Sequence, residues 1–350
     1  MSAPIIASAR PIKGCGGSLR FSVVIPLYNK RAFVRRAVDS VLRQSFEDFE
    51  LIVVDDGSTD DSAESLVDIT DARFRLIRQE NAGAGPARNR GILEARAEWI
   101  AFLDADDCWL PEHLFETASI IRAFPGASLV ATGYREVRDV AQAALWKTET
   151  SKIRSIDYFL EAARNVGRVN SSNASVRREV VEKLGGFANF RAGEDLEYWA
   201  RIALSDPVAI SDRVTSIYVR GTGGVMEQLE AQRIEMPFAR YARLEDISPS
   251  VAMLCRVAAD EAKFVTNTSI RTYINSRVLS CVRGSLLDED VQLARHFARL
   301  LVAPLNLEAW LMRAMLRLPS LPLLVAMRTL LFAKHAARHG LRLIQANAAA

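Results

Sequence analysis

The sequence predicts an α/β fold, a mostly parallel sheet flanked by helices, followed by a helical C-terminal region. Three observations carry that prediction. Short apolar strands alternate with helical stretches from residue 21 onward, the spacing of βαβ units. Those strands are short and mainly apolar, as strands covered on both faces are. Strand signals stop near residue 225, where helical spacing takes over. The chain divides accordingly into a flexible leader over 1–20, an α/β domain over 21–225 and a helical extension over 226–350.

The leader holds Gly14, Gly16, Gly17 and two prolines. Phe21–Ile25 is a β-branched run, followed by a helix from Ala32 to Gln44 with Phe33, Ala37, Val38, Val41 and Leu42 on one face. Leu51–Val54 is the second strand. Ser58-Thr-Asp-Asp offers a cap for a helix through Leu66. Phe74–Ile77 is the third strand, Pro86–Ala95 a helix, and Trp99–Leu103 a fourth strand ending in Asp-Ala-Asp-Asp. Pro111 opens a helix over 111–123, with a strand near Ser128–Thr132. Residues 134–155 read as irregular, 171–177 as a strand and 193–204 as a helix. Val208–Ile210 and Val214–Val219 read as two short strands at a sheet edge. Residues 228–245, 250–284, 288–302 and 306–340 have helical spacing.

Composition narrows the class. The 350 residues are 49% hydrophobic and 25% charged, which excludes a disordered or fibrous chain. A net charge of +3 gives no case for nucleic-acid binding. Cys15, Cys108, Cys255 and Cys281 are far apart with no CxxC spacing, so a reducing cytoplasmic setting is expected. No apolar run precedes Phe21, and 300–333 is broken by Glu308, Arg313, Arg317, Arg328 and three prolines. Neither a signal peptide nor a spanning helix is expected. From residue 309 onward six basic residues (Arg313, Arg317, Arg328, Lys334, Arg338, Arg342) stand with no acidic ones.

Three polar clusters fall at strand ends, where ligands bind in open α/β sheets. They are Pro26-Leu-Tyr-Asn29, Asp55-Asp56-Gly-Ser-Thr-Asp60 and Asp104-Ala-Asp-Asp107. Asp104 and Asp106 are candidates for a divalent metal, since Mg²⁺ and Mn²⁺ take carboxylate and phosphate oxygens. The competing reading makes them an acidic cap for the helix that follows. Asp56 is a candidate to accept a hydrogen bond from a base or ribose, although Gly57 and Ser58 also explain a turn and a cap. Tyr28 is placed to stack on a base or to pack. Gly83-Ala-Gly-Pro-Ala-Arg-Asn-Arg-Gly91 puts Arg88 and Arg90 by a helix start, suited to phosphate or to solvent. Glu194, Asp195 and Glu197 stand at another helix start, where carboxylates are electrostatically favoured. One of them could instead deprotonate a hydroxyl. No GxGxxG follows the first strand, and no GxxxxGK[ST] occurs.

Phe21-Ser-Val-Val-Ile-Pro-Leu-Tyr-Asn29, Val53-Val-Asp-Asp-Gly-Ser-Thr-Asp60, Ala87-Arg-Asn-Arg-Gly91 and Phe102-Leu-Asp-Ala-Asp-Asp107, with Gly193-Glu-Asp and Trp199, together resemble glycosyltransferase family 2 over roughly residues 20–220. The resemblance implies a GT-A-like fold, a nucleotide-diphosphate sugar donor (UDP-sugar favoured) and Mn²⁺ or Mg²⁺. It implies that Pro26, Tyr28 and Asn29 lie under the nucleoside, Asp56 bonds the base and Arg88 supports the nucleotide. Asp104 then stands near the ribose, Asp106 on the metal, and Asp195 as the catalytic base with Glu194 its competitor. The expected reaction is inverting transfer to a hydroxyl of a glycan or lipid-linked acceptor, in cell-surface polysaccharide or glycolipid synthesis. The helical extension lies beyond the resemblance. It reads as a packing or homodimer surface, or as a peripheral contact with the anionic inner face of the cell membrane. A nucleotidyltransferase and a non-catalytic scaffold are the other readings, though a triphosphate-binding loop after the first strand is missing and the acidic residues are all present.

Overall fold

A computed structural model describes residues 20–141, 151–224, 249–260, 267–287, 290–303 and 307–317. They fall into two compact units, one containing 20–224 and 249–253, the other the described residues from 254 onward.

The first unit is built on one sheet. Its strands are β1 (Phe21–Leu27), β2 (Phe49–Asp55), β3 (Phe74–Arg78) and β4 (Trp99–Phe102), with α1 (Arg31–Leu42) and α2 (Ala84–Glu94) in the connections. β1 pairs in parallel with β2 and β4, and β2 with β3. All of β2 and β4 is buried, the burial that their unbroken apolar runs predicted. α1 turns Val34, Ala37, Val38 and Val41 inward, and each is fully buried in the core. Burial of such a side chain contributes about 1.5–3 kcal/mol. α2 packs closely on β1: a Cβ on Gly91 would stand 2.3 Å from Val24 Cγ1. Only glycine permits that approach.

The sheet then continues through β5 (Cys108–Trp109), α3 (His113–Ala123), β6 (Leu129–Val137), β7 (Ile153–Ile156), α4 (Tyr158–Arg164), β8 (Ala174–Arg177), α5 (Arg178–Leu184), α6 (Glu194–Ala203) and β9 (Val208–Val219). Strand order is β3-β2-β1-β4-β8-β6-β9-β5, with β7 also on β9. β8 runs antiparallel to both β4 and β6, and β6 is parallel to β9. The sheet is therefore mixed, but β1 to β4, β6 and β9 all point their carboxyl ends to one edge.

Several elements differ from the sequence expectation. Between Ser58 and Leu66 only a 3₁₀ turn forms, Glu64–Leu66. Asp60 Oδ1 accepts from Ser62 N at 3.1 Å and Asp60 Oδ2 from Arg31 N at 3.0 Å. Such local bonds offer the backbone an alternative to a helix. The helix expected from Pro111 begins at His113, because the Pro111 carbonyl accepts from Ser45 N at 2.8 Å. Residues 134–137 extend β6 and 153–156 form β7, where an irregular stretch was expected. The two edge strands are one, β9, whose pairing with β6 shifts register around Gly133.

In the second unit, α7 (Pro249–Asp260), α8 (Thr268–Leu287), α9 (Val291–Ala298) and α10 (Leu307–Met315) agree with the expected helical character, α7 starting in the first unit. Asn275 of α8 is tied to the backbone of Val302 by bonds of 2.9 and 2.8 Å. The expected helix over 228–245 and most of 306–340 lie outside the described residues. No described helix is long and apolar enough to cross a membrane.

Candidate functional site

The parallel ladder continues past the strands and fixes three loops at one edge. Asp56 N donates to Leu27 O at 2.8 Å, Gln79 N to Asp55 O at 2.9 Å and Leu103 N to Val24 O at 3.1 Å. The loops after β1 and β2 are then stitched together. Asn29, at φ 51°, accepts from Thr59 N on Oδ1 at 2.8 Å, and its own N donates to Ser58 Oγ at 3.1 Å. Beside it Tyr28 stands 47% exposed, a large aromatic face open to solvent at a strand end. Pro26, within β1, is partly buried.

Asp56 is buried and heavily bonded. Its Oδ1 accepts from Gln79 Nε2 at 2.7 Å and Ala82 N at 2.9 Å, and its Oδ2 from Gly83 N at 2.8 Å. It therefore shapes the 79–83 loop that leads into α2. An ionised carboxylate has about four acceptor sites, so little of it is left over. Asp55 is also buried and accepts from Ser58 N at 3.1 Å.

The three aspartates after β4 have three different settings. Asp107 is 1% exposed and accepts from Ser172 Oγ and from Val219 N. Burial raises its carboxyl well above the usual range, with Asp106 and Asp104 adding to the effect. It joins the loop to the end of β9 and to the segment before β8, and its side chain is enclosed. Asp104 is half-buried, its side chain 30% exposed, and loss of solvent raises its carboxyl against the opposing pull of Arg88. Asp106 Oδ2 accepts from Lys30 Nζ at 2.8 Å and from Thr222 Oγ1 at 2.7 Å. Its main-chain oxygen accepts from Arg36 Nη2 at 2.7 Å.

Lys30 and Thr222 escaped the sequence reading. Lys30 follows directly on Asn29, and Thr222 sits within Gly221-Thr-Gly-Gly224 after β9, so a glycine-rich strand exit was the available signal. Ser172 is a third: its Oγ bonds Asp107, Asp104 N donates to that same Oγ at 3.2 Å, and its carbonyl accepts from Trp109 Nε1 at 2.7 Å.

Arg88 links the two acidic groups. It is 3% exposed, with Nη2 donating to Asp104 Oδ1 at 2.6 Å and Nη1 to Glu194 Oε1 at 2.7 Å. Its guanidinium lies 5.3 Å from the Phe187 ring centroid, a cation–π contact. Burial works against its charge, but Asp104 and then Glu194 hold it above the ordinary guanidinium value. Arg90 points away and pairs with Glu94 at 3.0 Å in the open.

α6 carries the last acidic group, and its N-cap Gly193 has φ 77°, the left-handed region. There only a residue without Cβ enters freely. Glu197 is held by Arg201 at 2.9 Å, and Trp199 is fully buried among Phe102, Phe187 and Tyr198. Glu194 is committed to Arg88. Asp195 accepts only the short-range bond from Leu196 N, at 2.8 Å, among the described residues. Burial pushes its carboxyl up to about 7, Glu194 adds to the rise, and Arg88 opposes it.

The same edge thus collects an exposed aromatic, two loops bonded to each other, a carboxylate pair and a carboxyl pushed up to about 7. Residues 22–185 match the family model described as glycosyl transferase family 2. An uncharacterized glycosyltransferase of Nostoc sp. is 31% identical over 174 residues, 47% of this chain and 53% of that protein. The succinoglycan biosynthesis protein ExoW of Rhizobium meliloti is 40% identical over 111 residues, 30% of this chain and 35% of that protein. The chain spans about half, or less, of the length of these curated relatives. Among solved structures, residues 1–349 of S. aureus TarS, in complex with UDP-GlcNAc, superpose with a TM-score of 0.62 at 19% identity, covering 92% of each chain. The fold is that of this GT-A-type protein.

Proposed function

We propose that this protein is an inverting glycosyltransferase that moves a sugar from a nucleotide-diphosphate donor to an acceptor hydroxyl. One observation carries the reading: the Asp104–Arg88–Glu194 bridge places the loop after β4 beside Asp195. A half-buried carboxyl pushed up to about 7 is matched to taking a proton from a hydroxyl at neutral pH. Of the two candidates for the base, Asp195 is favoured because Glu194 is already committed to Arg88. The acceptor oxygen would form its bond to the anomeric carbon as its proton passes to Asp195, and the diphosphate departs from the opposite face. No second carboxylate nucleophile is needed for such a single displacement.

The donor would lie along Pro26, Tyr28, Asn29 and Asp56, with Tyr28 against the base. Arg88 acts by positioning: it holds Asp104 and Glu194 rather than reaching a phosphate itself. Asp106 suits a divalent ion. Its Oδ1 has no hydrogen bond among the described residues, and hard cations are commonly held by one or two carboxylates plus substrate phosphates. No group of three or more acidic, histidine or cysteine ligands occurs among the described residues, so the diphosphate would complete the shell. Mn²⁺ or Mg²⁺ bound there would supply Lewis-acid neutralisation of the leaving diphosphate.

TarS holds UDP-GlcNAc, so uridine diphosphate donors are the first to test. ExoW is a succinoglycan biosynthesis protein, which supports a polysaccharide acceptor. The test is a thermal-shift screen of UDP-, GDP- and dTDP-sugars with Mn²⁺, on the natural protein and on Asp106→Ala. A metal-dependent rise in melting temperature that Asp106→Ala abolishes is expected. A rise that survives the substitution would remove Asp106 from the site, and no response to any donor would argue for a scaffold.

A further inference from the structure

We propose that Lys30 is a resident counter-cation of Asp106 and competes with the divalent ion for that carboxylate. The inference rests on the reading of Asp106 as the metal-binding group given above. The Lys30 ammonium sits 2.8 Å from Asp106 Oδ2, with both side chains only 16% exposed. A second N–H of Lys30 donates to the Thr222 carbonyl at 3.0 Å, while Thr222 Oγ1 donates to the same Asp106 oxygen at 2.7 Å. The backbone at Lys30 is anchored separately, its N donating to Ser62 Oγ at 2.8 Å. Chain around Gly224 closes the group: a Cβ there would stand 3.5 Å from Asp106 Oδ2 and 4.0 Å from Lys30 Nζ.

This is a built contact. Three separate segments, the start of α1, the loop after β4 and the stretch after β9, meet on one carboxylate oxygen. A buried carboxylate is costly unless paired, and Lys30 provides that pairing before any ion arrives. Two cations cannot share one oxygen without repulsion. An entering ion therefore either displaces Lys30 and Thr222 from Oδ2 or binds Oδ1 under the field of the ammonium. Both weaken ion binding to the donor-free protein. A lysine ammonium has three donors, so the displaced Lys30 keeps its charge available for an anionic donor. Metal occupancy thereby becomes coupled to arrival of the diphosphate, which brings the extra negative charge the ion needs.

The experiment measures Mn²⁺ binding to the full chain without nucleotide, by loss of the free-ion electron paramagnetic resonance signal. It uses the natural protein, Lys30→Met, Lys30→Arg and Asp106→Asn, with melting curves to confirm that each is folded. Removing one positive charge from a mostly buried site should tighten Mn²⁺ on the order of 10-fold or more in Lys30→Met. Lys30→Arg, which keeps the charge, should stay close to the natural protein, and Asp106→Asn should lose the site. Equal or weaker Mn²⁺ binding by Lys30→Met, with Asp106→Asn still abolishing it, overturns the competition and leaves the metal assignment intact. Unchanged Mn²⁺ binding in Asp106→Asn overturns both.

Discussion

Replacing Arg88 by methionine tests the bridge at the heart of the site. The side chain is 4% exposed and holds two carboxylates, at 2.6 and 2.7 Å. Removing one partner of a buried ion pair costs about 3–5 kcal/mol, because a buried charge is left uncompensated. Against that, Arg88 Nε is buried without a partner, and its removal recovers on the order of 1 kcal/mol. The net loss should be about 2–4 kcal/mol. It should also depend on pH. Burial already raises the Asp104 carboxyl, and Arg88 is the main influence lowering it. Without Arg88 the folded state favours the protonated acid more strongly. A carboxyl whose folded value is raised is best tolerated below its unfolded value and loses stability as pH rises through the folded one. The penalty should therefore be larger at pH 8 than at pH 5. Urea unfolding followed by fluorescence of the buried Trp99, Trp109 and Trp199 measures it at both. A loss below about 1 kcal/mol, or one that is the same at both pH values, would refute the bridge as a buried charge network.

Further outcomes follow from the same geometry. Activity should rise with pH through about 7 as Asp195 ionises; Glu194→Gln, by removing the neighbouring charge that raises it, should move that limb to lower pH. An unmoved profile would detach Glu194 from the base. Asp107→Ala should lower the melting temperature sharply, since it strands the buried Val219 N–H and Ser172 hydroxyl, with a cost of about 1–3 kcal/mol. Asp106→Ala should instead weaken donor binding with a smaller stability loss, and calorimetric titration with UDP beside a melting curve separates the two. Gly91→Ala gains about 1 kcal/mol of helix propensity but drives a methyl into Val24, 2.3 Å from Cγ1. A net destabilisation of about 1–3 kcal/mol is expected in chemical unfolding, and a neutral result would mean α2 can shift on β1.

The parallel half of the sheet was legible because β1, β2 and β4 are almost wholly buried and so read as short, mainly apolar runs. That placed Tyr28, Asp56 and Asp104 at one edge without any knowledge of contacts. The polar strands were harder. β6 past Gly133 carries Tyr134, Arg135 and Glu136 and so reads as irregular, while Ser211, Asp212 and Arg213 interrupt β9 and split it into two apparent strands. Their polar groups are paired across the fold: Arg213 with Glu116 at 3.3 Å, Asp212 with Arg168 at 3.0 Å and Glu136 with Arg220 at 3.2 Å. No local pattern announces partners tens of residues away. The same limit applies within the site. That an arginine at 88 and acids at 104 and 194 share one bridge depends on α2, β4 and α6 meeting, as does the contact of Lys30 and Thr222 on Asp106. The family resemblance assigned roles to single residues, and the pairings among them emerged only from the fold.

The most direct test of the central claim is Asp195→Asn, measured for donor binding and for transfer. The substitution keeps the shape of α6 and removes only the proton acceptor. UDP affinity by calorimetry should stay within about 3-fold of the natural protein, while release of nucleoside diphosphate in the presence of acceptor should fall by about 10²–10⁴-fold. Full turnover by Asp195→Asn would contradict the assignment of the base.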